Sequence, residues 1–208
     1  MRAFLIGSII LFSLTANAQT YLRNYEIESD DKVVGGITAT RSVEGDYVEY
    51  NVTSDVRMRV LFEVNVSYKL QAIYKDEILV SSSATIYLNG AIQNDVSCER
   101  TGDHYTIVVD GHTTRIYEDI HWSSGKLYFN KPKGAKKVFS ETDGNFKNIG
   151  ETADGKFVQR DPKKEKNVNT YTYSSDQGLH SILLKRMLLP ELKVTAVREI
   201  KIDDEEKE

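Results

Sequence analysis

Four histidines, one cysteine and a few acids around a single tryptophan are the residues of this 208-residue sequence that could do chemistry. His104, His112, His121 and His180 lie near Asp103, Asp110 and Asp119. No two histidines have the His-x-His or His-x₃-His spacing by which one strand or helix presents a pair of ligands to a metal. His104 and His112 fall near opposite ends of one expected hairpin and read as surface or turn histidines. Ser123 and Ser124 follow His121 without the G-x-S-x-G elbow of a nucleophilic serine, and read as turn residues ahead of Gly125. Cys98 sits in an expected strand, where a cysteine is usually buried and inert. Glu118, Asp119 and Glu141 flank Trp122, Tyr128 and Phe129, as carboxylates beside a sugar-stacking platform would. With 31 acidic residues in the chain, that juxtaposition carries little weight alone. No catalytic residue, cofactor site or metal site is assigned.

The more specific feature is apolar. Trp122, Leu127, Tyr128, Phe129 and Phe139 are the candidate ligand-binding residues, gathered in the stretch 120–144. Three roles suit this stretch: a lid over a ligand, a plug inside a barrel, or an interface. Four lysines between 131 and 137 read as a solvated loop, with anionic lipid heads as the alternative partner.

Everywhere else the sequence alternates. Met58, Val60, Phe62, Val64, Val66, Tyr68 and Leu70 take every second position, which places them on one face of a strand. The spacing predicts a strand over 47–74, either long or broken near Asp55, with Phe62, Val64, Val66 and Tyr68 facing inward. Asn89-Gly90 suits a two-residue hairpin turn. Gly35-Gly36 inside a strand suggests a bulge or bend. Ten to twelve strands are expected, at the spacing of an antiparallel sandwich or barrel. Residues 180–189 are apolar enough for a short helix, but a strand suits their neighbourhood better. The predicted fold is all-β: an antiparallel, up-and-down barrel-like or strongly curled sheet.

Composition fits that fold. Hydrophobic residues make up 40% of the chain and Tyr occurs 12 times, as in a folded β-protein. Residues 1–18 read as a signal peptide, with Arg2, an apolar run and Ala16-Asn17-Ala18 as cleavage site. A single β domain is expected over 19–202, followed by an acidic tail at 203–208. The net charge of −4 becomes −5 once Arg2 leaves, which offers no basic surface to nucleic acid. One cysteine allows no internal disulfide. The mature chain has no stretch long enough for a transmembrane helix.

Several segments taken together resemble an uncharacterised, domain-of-unknown-function family of secreted β-proteins from Bacteroidota-type bacteria. These are Tyr68-Lys69-Leu70-Gln71-Ala72-Ile73-Tyr74, then Leu79, Ser82 and Tyr87-Leu88-Asn89-Gly90. Ile120, Ser123, Leu127-Tyr128-Phe129, Pro132 and Val138-Phe139-Ser140-Glu141 follow, then Gly144 and Asn169-Thr170-Tyr171-Thr172-Tyr173. The resemblance runs over roughly 25–200 and implies an exported antiparallel barrel-like domain, with no established activity. The expectation is an exported, periplasmic or secreted, non-enzymatic protein of the bacterial envelope. It would bind or carry a hydrophobic ligand such as a lipid or acyl chain, without a cofactor. The alternatives are a structural or protein-interaction module with a filled barrel, and a carboxylate-dependent hydrolase.

Overall fold

The computed structural model describes residues 19–59, 62–164, 166–175, 178–186 and 190–202. The expected signal peptide at 1–18 and the acidic tail at 203–208 lie outside the described residues, as do Val60 and Leu61.

Fourteen strands form one sheet in which every pair is antiparallel. They are β1 (Gln19–Ser29), β2 (Lys32–Glu44), β3 (Tyr47–Arg59), β4 (Glu63–Lys75), β5 (Ile78–Leu88), β6 (Ala91–Thr101) and β7 (His104–Val109). The chain continues through β8 (His112–Ile116), β9 (Lys137–Ser140), β10 (Asn145–Glu151), β11 (Phe157–Arg160), β12 (Val168–Tyr173), β13 (Leu179–Lys185) and β14 (Leu192–Ile202). The spatial order runs β8 to β1, then β14 to β9, so β1 and β14 meet in the middle and β8 and β9 are the two edges. Residues 180–185 belong to a strand, not a helix.

The expected strand over 47–74 is two strands, β3 and β4, and the break falls at 60–62 rather than near Asp55. Alternation hid the hairpin for a geometric reason. Met58 lies opposite Val64 and Arg59 opposite Glu63, so even-numbered residues oppose even-numbered ones. The inward phase therefore passes through the turn unbroken. Val64, Val66 and Tyr68 are in that inward phase, whereas Phe62 is at the turn and 65% exposed. A second strand hidden from the sequence is β9, which lies inside the aperiodic stretch 120–144.

The sheet curls. Its register shifts at Asn24/Tyr25, Ile27/Glu28, Ile73/Tyr74, Ile86/Tyr87 and Thr172/Tyr173, and each bulge adds local twist. Gly35 adjoins one of these shifts, and a Cβ there would stand 2.1 Å from the Asp55 carbonyl oxygen. Only glycine permits that approach. At Asn89-Gly90 both φ angles are positive, 51° and 84°, as the tight hairpin turn requires.

Where the curl closes, β6 and β7 meet the β9–β10 turn through side chains. The Asn94 amide of β6 donates to the Thr142 carbonyl oxygen. Gly144, between β9 and β10, lies against Val96 of β6 and Ile107 and Val109 of β7.

Because neighbouring strands run in opposite directions, successive turns alternate between the two ends of the curl. One end carries the turns at Asp30-Asp31, Asn89-Gly90 and Asp110-Gly111, together with residues 161–164 after β11 and Arg186 after β13. The opposite end carries Gly45-Asp46, Asp76-Glu77 and Gly102-Asp103. The β8–β9 connection begins and ends at this second end and folds inward there.

Candidate functional site

An irregular segment inside a sheet has little ladder to satisfy its backbone, here one parallel bridge between Ser123 and Phe139, so the rest of its polar groups need other partners. Residues 120–130 show how this chain supplies them. A short 3₁₀ turn over Lys126–Tyr128 sits in the lumen. Its carbonyls accept hydroxyls and a guanidinium from the surrounding wall. Tyr173 Oη donates to Leu127 O at 2.9 Å, and Arg23 Nη1 and Tyr25 Oη donate to Tyr128 O at 2.9 and 3.3 Å. Tyr50 Oη donates to the Asn130 side chain at 3.0 Å, and the Tyr68 and Tyr128 hydroxyls are hydrogen-bonded at 2.9 Å. Ile120 O accepts the Leu79 N–H at 2.9 Å. The tyrosine content thus has a structural use, since a phenol offers an apolar body to the wall and a donor to the lumen.

Glu141 anchors the same segment from within. It is fully buried, and its two carboxylate oxygens accept the Ser124 N–H at 2.8 Å and the Gly125 N–H at 3.0 Å. Burial holds this carboxyl above the usual glutamate range, against the hydrogen bonds that favour its charge. Lys126, which follows Gly125, is buried, reaches Glu77 at the turn, and lies over the rings of Tyr74 and Trp122. The segment closes this end of the curl.

The other end stays hollow. A cavity of about 420 Å³ lies above Tyr128 and extends to Lys164, Asn167, Arg186 and Leu192 near the first end. One wall is aliphatic: Ile27, Ile37, Val56, Val66, Ile182 and Val194. The rest of the lining includes a polar wall, with Lys147, Gln159, Asp161, Asn169 and Arg186. Lys147 is 7% exposed and sits between Asp161 at 2.6 Å and Asp143 at 3.1 Å. Burial raises the Asp161 pKa, but Lys147 and the backbone N–H groups of Lys163 and Lys164 outweigh it and hold the carboxyl below the usual range. The Tyr68–Tyr128 pair forms the floor.

Of the five aromatic and aliphatic residues picked from the sequence, Tyr128 alone borders this cavity. Leu127 and Phe139 are fully buried in the core. Phe129 is half-buried under Arg23 and against Tyr50. Trp122 borders a separate, smaller groove with His121, Lys133, Lys136, Lys137 and Phe146. Signals for the polar wall were present in the sequence. Lys147 shares the inward phase of β10 with Ile149, Gln159 that of β11 with Phe157, and Asn169 that of β12 with Tyr171. A polar residue in an apolar phase marks a lumen that is not simply packed.

The other candidates fall elsewhere. His104 lies opposite Thr101 and His112 opposite Val109, so the two do not face each other. His104 rests on Asp103 and the Tyr117 ring, and His112, His121 and His180 are exposed. Among the described residues no three His, Cys, Asp or Glu side chains are grouped as a metal site would need. Cys98 is buried, which pushes its thiol up to about 12, away from nucleophilic thiolate. Glu118 pairs with Lys137 at the surface, and Asp119 with Arg100 at 2.8 Å. No described helix is long and apolar enough to cross a membrane.

Residues 25–183 match the model of a family described as Domain of unknown function (DUF6134). Among solved structures, the chain is similar to one described as a beta-barrel-like protein of domain of unknown function DUF1849 from Brucella abortus. The TM-score is 0.52 at 8% identity, covering 90% of this chain and 98% of that one. At that identity the likeness concerns the fold. No curated protein matches.

Proposed function

The chain belongs to the DUF6134 family, whose description names no activity, and we propose from the geometry of its lumen that it binds a hydrophobic ligand there, such as a lipid or acyl chain. The observation that carries this reading is the cavity of about 420 Å³ with an aliphatic wall, closed at one end and open at the other. That volume is in the range of small-molecule sites, about 300–1,000 Å³. The wall consists of branched aliphatics that leave room for further apolar contact. The polar wall would orient the ligand, and the plugged end would set its depth. No step of this reading calls on bond-making chemistry or a cofactor.

The same reading makes the protein an exported one of a Bacteroidota-type envelope, periplasmic or secreted, with the leader at 1–18 removed. Cell fractionation with N-terminal sequencing tests this: a mature chain starting at Gln19 outside the cytoplasm supports it, and an intact cytoplasmic chain overturns it.

Ligand binding is tested with a fluorescent apolar probe on the mature chain and on Val66→Trp. Val66 is half-buried on the aliphatic wall, so the indole has the cavity to occupy. The expected result is saturable probe binding to the wild type that Val66→Trp removes without lowering the melting temperature. Absence of binding, or binding unchanged in the folded variant, overturns the assignment.

A second reading, an interaction module of the envelope, draws on the edge strand β8. Four of its five residues are exposed, and among the described strands it pairs with β7 alone. Such an edge can accept a strand from a protein partner.

A further inference from the structure

The polar wall of the cavity is not evenly satisfied. Its two carboxylates both meet Lys147. Asp161 accepts the Lys163 and Lys164 N–H groups on one oxygen, at 2.8 and 3.3 Å, and Lys147 Nζ on the other at 2.6 Å. Asp143 accepts the Ser140 hydroxyl at 2.8 Å and faces Lys147 at 3.1 Å. Arg186, just beyond β13, differs. Its Nη1 donates to Asn169 Oδ1 at 2.7 Å and to Lys185 O at 3.0 Å. Among the described residues, no carboxylate pairs with it and nothing accepts from its Nε or Nη2.

A guanidinium carries five donors in a planar fork that suits a carboxylate or phosphate, so the free side of Arg186 is a bidentate anion site bordering the cavity. Burial lowers the Arg186 pKa against the opposing pull of Tyr171, Asp143 and Asp161, so the charge is partly stripped of water and none of these acids occupies its fork. Lys164, exposed at the rim of the same cavity, adds a second cation. Ile27, Ile37 and Val56 line the same cavity and offer nothing to a charged group but contact surface to a hydrocarbon chain.

We propose that the ligand is a single-chain amphiphile with an anionic head, its head on the free fork of Arg186 and its tail along the aliphatic wall. The proposal rests on the reading of the cavity as a ligand site and adds the sign of the head group. Arg186 selects the head, and the aliphatic wall accepts any tail of suitable length.

Calorimetric titration of the mature chain with decanoate and with decanol, both below their aggregation limits, tests it. Decanoate is expected to bind at least about tenfold more tightly than decanol, from one charge-assisted bidentate contact. Arg186→Gln should bring the two affinities together by weakening decanoate, leaving decanol unchanged. Arg186→Lys, which keeps the charge but not the fork, should restore part of the difference. Equal binding of acid and alcohol by the wild type overturns the proposal but leaves the cavity as a hydrophobic site. So does an acid preference that survives in Arg186→Gln. Failure of both compounds to bind overturns the ligand-site reading and this proposal with it.

Discussion

Glu141 Oε1 accepts the Gly125 N–H at 3.0 Å, tying the end of β9 to the turn that fills the lumen. The two residues are in van der Waals register as well: a Cβ on Gly125 would meet Glu141 Oε1 at 3.3 Å and Leu70 Cδ2 at 2.8 Å. This contact decides whether the segment lies inside the sheet. Glu141→Ala leaves the buried Gly125 N–H without an acceptor, at about 1–3 kcal/mol, while the Ser124 N–H keeps the Phe139 carbonyl oxygen at 3.0 Å. We therefore expect a loss of about 1–3 kcal/mol in urea unfolding. Gly125→Ala should cost about 1–3 kcal/mol through overpacking against Leu70. A change below about 0.5 kcal/mol in both variants would remove the contact from the account.

The pH dependence of stability should carry two opposing signatures. The folded-state pKa of Glu141 is raised above the ordinary 4.5, so the folded state holds that proton more tightly than the unfolded chain. Its contribution is full below the ordinary value and is lost as pH rises through the raised one. Asp161 is the reverse: held below the ordinary 3.8, it contributes stability above that value and loses it as pH falls through the folded-state pKa. Unfolding curves across pH should show Glu141→Gln flattening the decline on the neutral side and Asp161→Asn flattening the acid limb. Exchange of the two effects would contradict the assignment.

Arg23 is expected to matter more than a surface cation. It is 11% exposed, bonded to Tyr128 O and to Glu199, and lies over Phe129. Arg23→Met should cost about 1.5–3 kcal/mol, the range for a hydrogen bond from a charged group. Gly178→Ala should act on the same contact from outside, because its Cβ would stand 2.5 Å from Arg23 Nη1. Additive losses in the double variant would show that the two sites are not coupled.

Trp122 and the cavity are separate places in this fold. Trp122 borders the smaller groove with Lys136 and Phe146 at the plugged end. Trp122→Ala should therefore leave ligand affinity within about twofold while Val66→Trp removes it, a twofold change being under about 0.5 kcal/mol. A large loss of binding in a folded Trp122→Ala protein would place the ligand at the aromatic stretch instead.

Much of the fold was legible because alternation is a local property. The inward phase of β4, the Asn89-Gly90 turn and the aperiodic character of 120–144 can each be read from neighbouring residues. What was not legible depends on distant partners. Met58 and Val64 share a phase whether their segment is one strand or a hairpin. The apolar stretch 120–144 could cover a barrel or fill it; the choice is made by Arg23, Tyr25, Tyr68 and Tyr173, which come from strands far away in sequence. The aromatic signal drew attention to the residues that close the lumen. The cavity they leave is bordered instead by aliphatic positions on β1–β4, β13 and β14 and by Lys147, Asp161 and Arg186, none of which forms a motif.

The most direct test of ligand binding is native mass spectrometry of the mature chain, released from its own host without detergent. The account predicts a reproducible added mass, lost on denaturation and identified as a single-chain anionic lipid, which Val66→Trp does not carry. A bare polypeptide mass from the host, unchanged after incubation with the host's lipid extract, would contradict it.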